Sequence, residues 1–253
     1  SVISGAGYGM FNLRFAMPTR TNGQHSNHLY PNDYFPFTYG ESVDPFSGRS
    51  DGVLKRSIAS GTEPKIMHIQ TSNEYWVRGG SLPHTNPEGT EDAVLPNGVR
   101  FYTLGGSQHG SGSGLPRPAS SGQLAPNPNR WSPLSESLMV AMVRWIAEGA
   151  EPPPSRYPRI ADGSLVASHN GQEINHDAWN PLPGINHPTA IYQPGVADYG
   201  MRWASERIID THPQTASGYY NPLVPAVNFD NNDSAETTVL PPLTQVPLAT
   251  FVP

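Results

Sequence analysis

The sequence predicts an α/β fold in which helices cover a parallel β-sheet, followed by a proline-rich, loop-rich extension. Two apolar, β-prone runs, residues 64–72 and 98–106, are bounded by turn residues and are typical of strands. Residues 132–149 show the apolar periodicity of a long helix. Because strands and helices alternate along the first 150 residues, we expect residues 1–150 to form the α/β core and residues 151–253 to pack on it.

Two short elements are predicted before the first of these runs. Residues 1–4 are β-prone and lead into a glycine-rich turn, which predicts a short strand. Residues 50–61 predict a short helix, with Ser50 or Asp51 as the N-cap and Gly61 as the C-terminal stop. The loops that follow parallel strands at their carboxyl ends then become the places to look for a functional site.

The long helix and the extension complete the predicted elements. Ser132 can cap the helix and Gly149 can end it. Its predicted apolar face consists of Leu134, Leu138, Met142, Trp145 and Ile146. In the extension, residues 189–193 and 247–253 are predicted as short strands.

The composition excludes several classes of protein. The 28 prolines and 25 glycines predict many ordered loops, while 11 Tyr, 8 Phe and 5 Trp argue against disorder. With 15 basic and 21 acidic residues the net charge is −6, which makes nucleic acid an unexpected partner. The absence of cysteine excludes disulfides and a cysteine nucleophile. Since no stretch approaches 18 apolar residues, no membrane span is expected.

Two ionisable residues follow the two predicted strands. Glu74 lies just after the first strand, in TSNEYW, and His109 follows the second, in the glycine-rich segment GGSQHG. An acid after one strand and a histidine after the next is the order in which these two members of a nucleophile–acid–histidine triad occur in α/β hydrolases. In such a triad the histidine takes the proton of the nucleophile, and the carboxylate orients the histidine and stabilises the imidazolium.

Several long motifs carry a resemblance to a known family. They are KIMHIQTSNEYWVRGGSLPHTNPEG, NGVRFYTLGGSQHG and MVRWIAEGAEPPPSRYPRIADGSLV, together with GAGYGMFNLRFAMPTR, YPNDYFPFT and VPLATF. The chain resembles the C-terminal half of a large family of α/β hydrolase domain-containing proteins of the serine hydrolase type. The resemblance implies the C-terminal part of an α/β-hydrolase parallel sheet, with Glu74 as the catalytic acid and His109 as the base.

The nucleophile of this family is missing from the sequence. The motif G-x-S-x-G occurs nowhere, and the nearest serines, Ser81 and Ser107, each lack one of its glycines. The resemblance implies that the nucleophile lies upstream of Ser1. The chain opens on strand-like residues without an initiating Met, so Ser1 is not expected to be the first residue of the gene product. The expected partner is therefore the N-terminal portion of the same precursor, with a small-molecule ester as substrate.

Other residues are weaker candidates. Trp76, His84 and Tyr8 are expected to line a substrate pocket, because ligand pockets are largely apolar with a few polar groups. Asp92 competes with Glu74 as the acid but lies further beyond the end of its strand. A tight turn at a strand end remains the alternative for the glycine-rich segment that contains Tyr8.

No cofactor or metal is required by the predicted chemistry. GAGYG, residues 5–9, lacks the full G-x-G-x-x-G spacing and the acidic residue of a dinucleotide site. His25 and His28, with Asp33 nearby, could bind a metal by residue type, but histidines in a polar loop seldom do.

The expected function is hydrolysis of a carboxylic ester, or alternatively an amide, by a secreted or periplasmic protein. Two other hypotheses stay open. The chain could be a non-catalytic scaffold or assembly protein that retains the hydrolase fold. Less favoured is an enzyme that uses Ser1 as an N-terminal nucleophile, because no obvious base lies near Ser1 in the sequence.

Overall fold

Three parallel strands and one long helix organise the part of the chain that the structure describes. The structure, a computed structural model, describes residues 2–4, 35–119, 125–206, 208–211 and 216–245. Its elements in chain order are β1 (Val2–Ser4), β2 (Ser42–Val43), β3 (Ser50–Asp51), α1 (Lys55–Ala59), β4 (Ile66–Thr71), α2 (Ser72–Val77), β5 (Val99–Leu104), α3 (Ser132–Glu148), β6 (Leu165–Val166), β7 (His169–Asn170), β8 (Glu173–Ile174), β9 (Gly195–Ala197), α4 (Trp203–Glu206), β10 (Ala216–Tyr219), β11 (Val224–Pro225) and α5 (Pro242–Gln245).

The main sheet has the order β1–β4–β5, and both pairs of strands are parallel. Ser4 pairs with Ile69, and Thr71 pairs with Leu104. The chain segments that follow these strands therefore leave from the same edge of the sheet, where functional loops of open α/β sheets lie. The predicted parallel arrangement of the two long strands is confirmed.

One face of this sheet packs against α3. Alternate residues of β4 and β5 point to that face because side chains of a strand alternate between its two sides. They form one buried cluster with the helix, consisting of Met67, Ile69, Tyr102, Leu104, Leu138, Met142 and Trp145. The prediction for Ile146 is wrong, since it is 60% exposed. Ile146 directly follows Trp145, and one step along a helix rotates the side chain by about 100° away from the buried stripe.

The opposite face of the sheet buries polar side chains as well as apolar ones. The Tyr39 hydroxyl lies 2.8 Å from Nδ1 of His68, and Nε2 of His68 lies 3.1 Å from Oε1 of Gln70. The Gln70 amide donates to the carbonyl oxygen of Gly80 at 2.7 Å. Burial lowers the pKa of His68 to about 3, so its imidazole is neutral and can take part in this chain of hydrogen bonds with a single N–H.

Residues beyond 150 contact both the sheet and α2. Arg156 forms a parallel bridge with Tyr102, and Val239 forms one with Leu104. Trp76 of α2 packs edge-to-face on Trp179, with ring centroids 6.1 Å apart. The segments of residues 151–245 that the structure describes therefore contribute to the same buried clusters as the earlier residues.

Two of the predicted elements differ from the structure. Residues 50–61 do not form one helix: Ser50–Asp51 is β3, paired with β2, and the helix covers only Lys55–Ala59. The glycine-containing sequence between these elements provides the turn that separates them. Residues 189–193 form no strand, and the nearby strand β9 begins at Gly195. Residues 247–253 lie outside the described residues. None of the helices in the described part of the chain combines the length and apolarity needed to cross a bilayer.

Candidate active site

Glu74 is positioned by a short helix that follows β4 without a loop. Sequence reasoning expected this residue on a loop, but it is the third residue of α2, Ser72–Val77. At that position a glutamate side chain can reach back to the backbone N–H that precedes the helix. Its Oε2 accepts the N–H of Thr71 at 2.6 Å and also the Thr71 hydroxyl.

The Glu74 carboxylate is fully buried, with a side-chain exposure of 0%. Burying a carboxylate is costly unless hydrogen bonds replace those it makes with water. The two donors of Thr71 satisfy one oxygen, and His109 satisfies the other. Glu74 is therefore a buried, fully hydrogen-bonded carboxylate and not a surface group.

The loop that carries His109 begins at Gly106 and is fastened by amide side chains. Gly106 has a positive φ of 61°, a conformation that favours glycine. Its carbonyl oxygen accepts the side-chain amides of Asn127 at 3.0 Å and Asn129 at 2.6 Å. Further along, the indole N–H of Trp131 donates to the carbonyl oxygen of Gln108 at 3.1 Å. These contacts fix the backbone on the N-terminal side of His109.

His109 and Glu74 are joined by a hydrogen bond of 2.5 Å between Nδ1 and Oε1. When Nδ1 carries the hydrogen, Nε2 of the neutral imidazole keeps its lone pair and can accept a proton. The His109 side chain is 66% exposed, although its partner is buried. The hydrogen bond to Glu74 raises the pKa of His109, and partial burial opposes this shift. The site thus holds an oriented, accessible imidazole whose basicity is increased by its neighbour.

The two serines nearest to the missing motif do not face this imidazole. Ser81 is buried, and its hydroxyl oxygen accepts the N–H of Leu223 at 2.8 Å. Ser107 is also buried, and its hydroxyl donates to the carbonyl oxygen of Gly105 at 3.1 Å. Among the described residues, no serine hydroxyl forms a hydrogen bond with His109.

Two of the residues expected to line a pocket lie in the core instead. His84 is fully buried and contacts the rings of Tyr75, Phe101 and Tyr157, with its Nε2 2.9 Å from the Tyr75 hydroxyl. Burial lowers the pKa of His84 to about 3, and the neighbouring His68 contributes. Trp76 is 9% exposed and packs in the cluster around Trp179. Tyr8 lies outside the described residues.

The structure also locates Asp92, the residue that competes with Glu74 as the acid. Both carboxylate oxygens of Asp92 accept backbone N–H groups, those of Ile160 at 2.8 Å and Ala161 at 2.9 Å, so this side chain fastens a turn. Within the described residues, no group of three or more His, Cys, Asp or Glu side chains could hold a metal ion. His25 and His28, like residues 5–9, are outside those residues.

Sequence reasoning missed two buried polar residues beside the site, Ser72 and Asp233. The Ser72 hydroxyl donates to Oδ2 of Asp233, which also accepts the N–H of Gly106 at 2.6 Å. Ser72 was a visible neighbour of Glu74 in the sequence. Asp233 is 161 residues away from Ser72 and carries no local signal that links it to the site.

The buried acid, the oriented histidine and their order after two parallel strands are features of an α/β-type hydrolase site. A family model described as alpha/beta hydrolase domain matches residues 12–251 of the chain. The chain belongs to this alpha/beta hydrolase domain family, and the match extends over nearly its whole length. No curated protein and no solved structure is significantly similar to it.

Glu74→Gln is expected to lower the pKa of His109, because the hydrogen bond to the Glu74 carboxylate and the charge of that carboxylate raise it, while partial burial and Arg78 lower it. The amide has no negative charge, and its NH2 group cannot accept a hydrogen bond, so one of the two carboxylate oxygen positions no longer holds an acceptor. Because the wild-type pKa is raised, protonation of His109 stabilises the native state below the unfolded pKa, and that contribution disappears as pH rises through the folded pKa. NMR titration of the imidazole measures both values.

Glu91→Gln is the matched control for this titration, because Glu91 is an exposed carboxylate outside the site. Glu91→Gln should leave the pKa of His109 unchanged. An unchanged His109 pKa in Glu74→Gln would contradict the assignment of Glu74 as the group that raises it.

Proposed function

We propose that the chain is the C-terminal half of a serine hydrolase that cleaves carboxylic esters, with amides as the alternative substrate class. In this proposal Glu74 is the acid and His109 the base, and the serine nucleophile belongs to an upstream segment of the same precursor. The observation that carries the proposal is the 2.5 Å hydrogen bond between a fully buried Glu74 and an accessible His109.

The proposed reaction uses both nitrogens of the His109 ring. Nε2 takes the proton of the serine hydroxyl as the serine oxygen attacks the ester carbonyl. The imidazolium, stabilised by Glu74 at Nδ1, then gives this proton to the leaving alcohol as the carbon–oxygen bond breaks. A water molecule attacks the acyl-enzyme by the same route, which releases the carboxylic acid and restores the serine.

An upstream partner is supported by the edge of the main sheet. β1 pairs with β4 on one side, and within the described residues no strand pairs with its other side. Unpaired backbone groups at a strand edge are available to a further strand. A strand added there would extend the sheet at the side of β1, and its following loop would leave from the same edge as those of Glu74 and His109 if the strand were parallel.

The non-catalytic scaffold is a second candidate, and the outer surface of α3 is compatible with it. Four apolar residues of this helix are strongly exposed: Met139 at 46%, Val140 at 61%, Val143 at 61% and Ile146 at 60%. A contiguous apolar surface of this kind marks contact with another polypeptide. In the catalytic proposal the same surface would contact the N-terminal portion of the precursor, so it does not by itself separate the two candidates.

Labelling of native material with a fluorophosphonate separates the candidates, when it is read by gel and intact mass. The hydrolase proposal expects a second, co-purifying polypeptide, or a longer precursor, labelled on a serine outside residues 1–253. Label on Ser1 would instead support the N-terminal nucleophile. Unlabelled material that consists of this chain alone would contradict the hydrolase proposal and favour the scaffold.

A further inference from the structure

Asp233 places a carboxyl group inside the protein directly beside the proposed acid and base. The residue is 7% exposed. One of its oxygens, Oδ2, accepts both the Ser72 hydroxyl and the Gly106 N–H, the latter at 2.6 Å. The Gly106 N–H also lies 2.9 Å from the Ser72 hydroxyl oxygen, so the three residues are in mutual contact.

The two donors belong to the two elements that carry Glu74 and His109. Ser72 is the first residue of α2, two positions before Glu74. Gly106 begins the loop that leads to His109 three positions later. A single carboxyl oxygen therefore links the start of the acid-bearing helix to the start of the histidine-bearing loop. The Glu74–His109 hydrogen bond is the second link between the same two elements.

Asp233 is held in place by the segment that follows it. The N–H of Val239 donates to the carbonyl oxygen of Thr103 at 2.8 Å, and the N–H of Gly105 donates to the carbonyl oxygen of Val239 at 3.1 Å. Asp233 itself forms an antiparallel bridge with Val227. The carboxyl group is thus attached to a backbone that pairs with the end of β5, and it does not depend on a freely moving loop.

The space around Gly105, the residue directly before Gly106, is equally restricted. A Cβ atom at Gly105 would lie 2.6 Å from the side chains of Leu240 and Thr238 and 3.2 Å from Cβ of Asp233. Close packing of this kind transmits a small displacement of the segment directly to the loop. Residues 233–240 therefore pack directly against the start of the histidine-bearing loop.

We propose that Asp233 is a positioning residue that sets the relative placement of Glu74 and His109 through Ser72 and Gly106. This role rests on the proposed function in that it takes the Glu74–His109 pair to be catalytic. The alignment of the two side chains can itself be measured without a substrate. Asp233 would not contact substrate. It acts because a hydrogen bond as short as that between Glu74 and His109 needs both partners to be placed within a few tenths of an ångström.

A neutral side chain that keeps the acceptor oxygen should preserve much of this function. Burial raises the pKa of Asp233, and the hydrogen bonds from Ser72 and Gly106 oppose this shift. In Asp233→Asn the amide oxygen can occupy the position of Oδ2 and accept from both Ser72 and Gly106. Asp233→Ala removes the acceptor: the Ser72 hydroxyl loses its carboxylate partner, and the Gly106 N–H keeps only the Ser72 oxygen.

The test measures the imidazole of His109 by NMR in the full chain, through its pKa and the downfield resonance of its Nδ1 proton. The signal is assigned among the nine histidines by its loss in His109→Gln. Asp233→Ala is expected to lower the pKa of His109 and to broaden or abolish the Nδ1 proton resonance, because a displaced Glu74 raises that pKa less. Asp233→Asn should restore most of both signals, which a general loss of stability in either variant would not explain.

Asp92→Ala is the matched control, because Asp92 also accepts two backbone N–H groups, but those of Ile160 and Ala161 and not of the elements that carry Glu74 and His109. It should destabilise the fold without changing the signals of His109. If Asp233→Ala fails to fold, Ser72→Ala removes one of the two donors and should cause the same losses in smaller degree. Unchanged His109 signals in a folded Asp233→Ala or Ser72→Ala variant would overturn the proposal.

These readings are independent of catalysis. If fluorophosphonate labels no serine while Asp233→Ala still disturbs the His109 resonance, the proposed function fails and the positioning role holds. If labelling succeeds and the resonance is undisturbed, the proposed function holds and the positioning role fails.

Discussion

His109→Ala is expected to lower the rate of ester hydrolysis about 10²–10⁴-fold, the range that a positioned general base contributes. Little packing is lost, because the side chain is 66% exposed, but Oε1 of the buried Glu74 loses its hydrogen-bond donor. Circular dichroism checks that the variant is folded. Without the imidazole, the serine hydroxyl has no group to take its proton during attack on the carbonyl. The measurement is kcat for an activated ester with the material that fluorophosphonate labels.

His187→Ala provides the control for this loss, since His187 is also an exposed histidine but lies far along the chain from the site. It should retain wild-type activity. The pH profile adds a second check: because the pKa of His109 is raised and only its unprotonated form is a base, activity should rise with pH through a value above about 6.5. An His109→Ala variant with undiminished kcat would refute the base assignment.

Trp145→Ala is expected to reduce the free energy of unfolding by about 3–5 kcal/mol, as found for large aromatic residues truncated in cores. Trp145 is 2% exposed and lies in the cluster between α3 and the main sheet. Its ring also contacts the cationic ends of Lys65 and Arg100, at 5.1 and 5.0 Å from the ring centroid. Urea-induced unfolding followed by circular dichroism measures the change.

Ile146→Ala is the matched control on the same helix. The residue is 60% exposed, so its truncation should change the free energy of unfolding by no more than about 0.5 kcal/mol. Similar losses from Trp145→Ala and Ile146→Ala would show that the outer surface of α3 is covered as thoroughly as the inner one. That result would point to a bound partner on the helix.

Local sequence patterns were sufficient for the elements that the site depends on. β4, β5 and α3 follow from apolar runs and periodicity because each is long and is bounded by turn residues. The single helix predicted for residues 50–61 was wrong because a two-residue strand next to a one-turn helix has no detectable periodicity. The prediction that Ile146 is buried was wrong because the outer surface of α3 also carries apolar residues. Composition therefore could not indicate which side of the helix is buried.

The acid–histidine pair could be predicted because its members follow the ends of neighbouring parallel strands. Sequence order then specifies proximity. His84 and Trp76 show the limit, since a histidine and a tryptophan near a site are equally compatible with a pocket wall and with the core. Asp233 was beyond prediction because it lies 161 positions after Ser72, so their contact depends on how the whole chain between them folds.

The pairing of Val239 with the end of β5 has a consequence for when the protein becomes competent during synthesis. A nascent chain that has emerged as far as the loop after β5 already contains both Glu74 and His109. It still lacks residues 233–240, which pack against the start of the loop that carries His109. Contacts between residues so distant in sequence form slowly because of the entropy lost on closing the intervening chain. The ribosome would therefore hold an unassembled site until nearly all of these residues have left the exit tunnel, which delays reactivity until folding can finish.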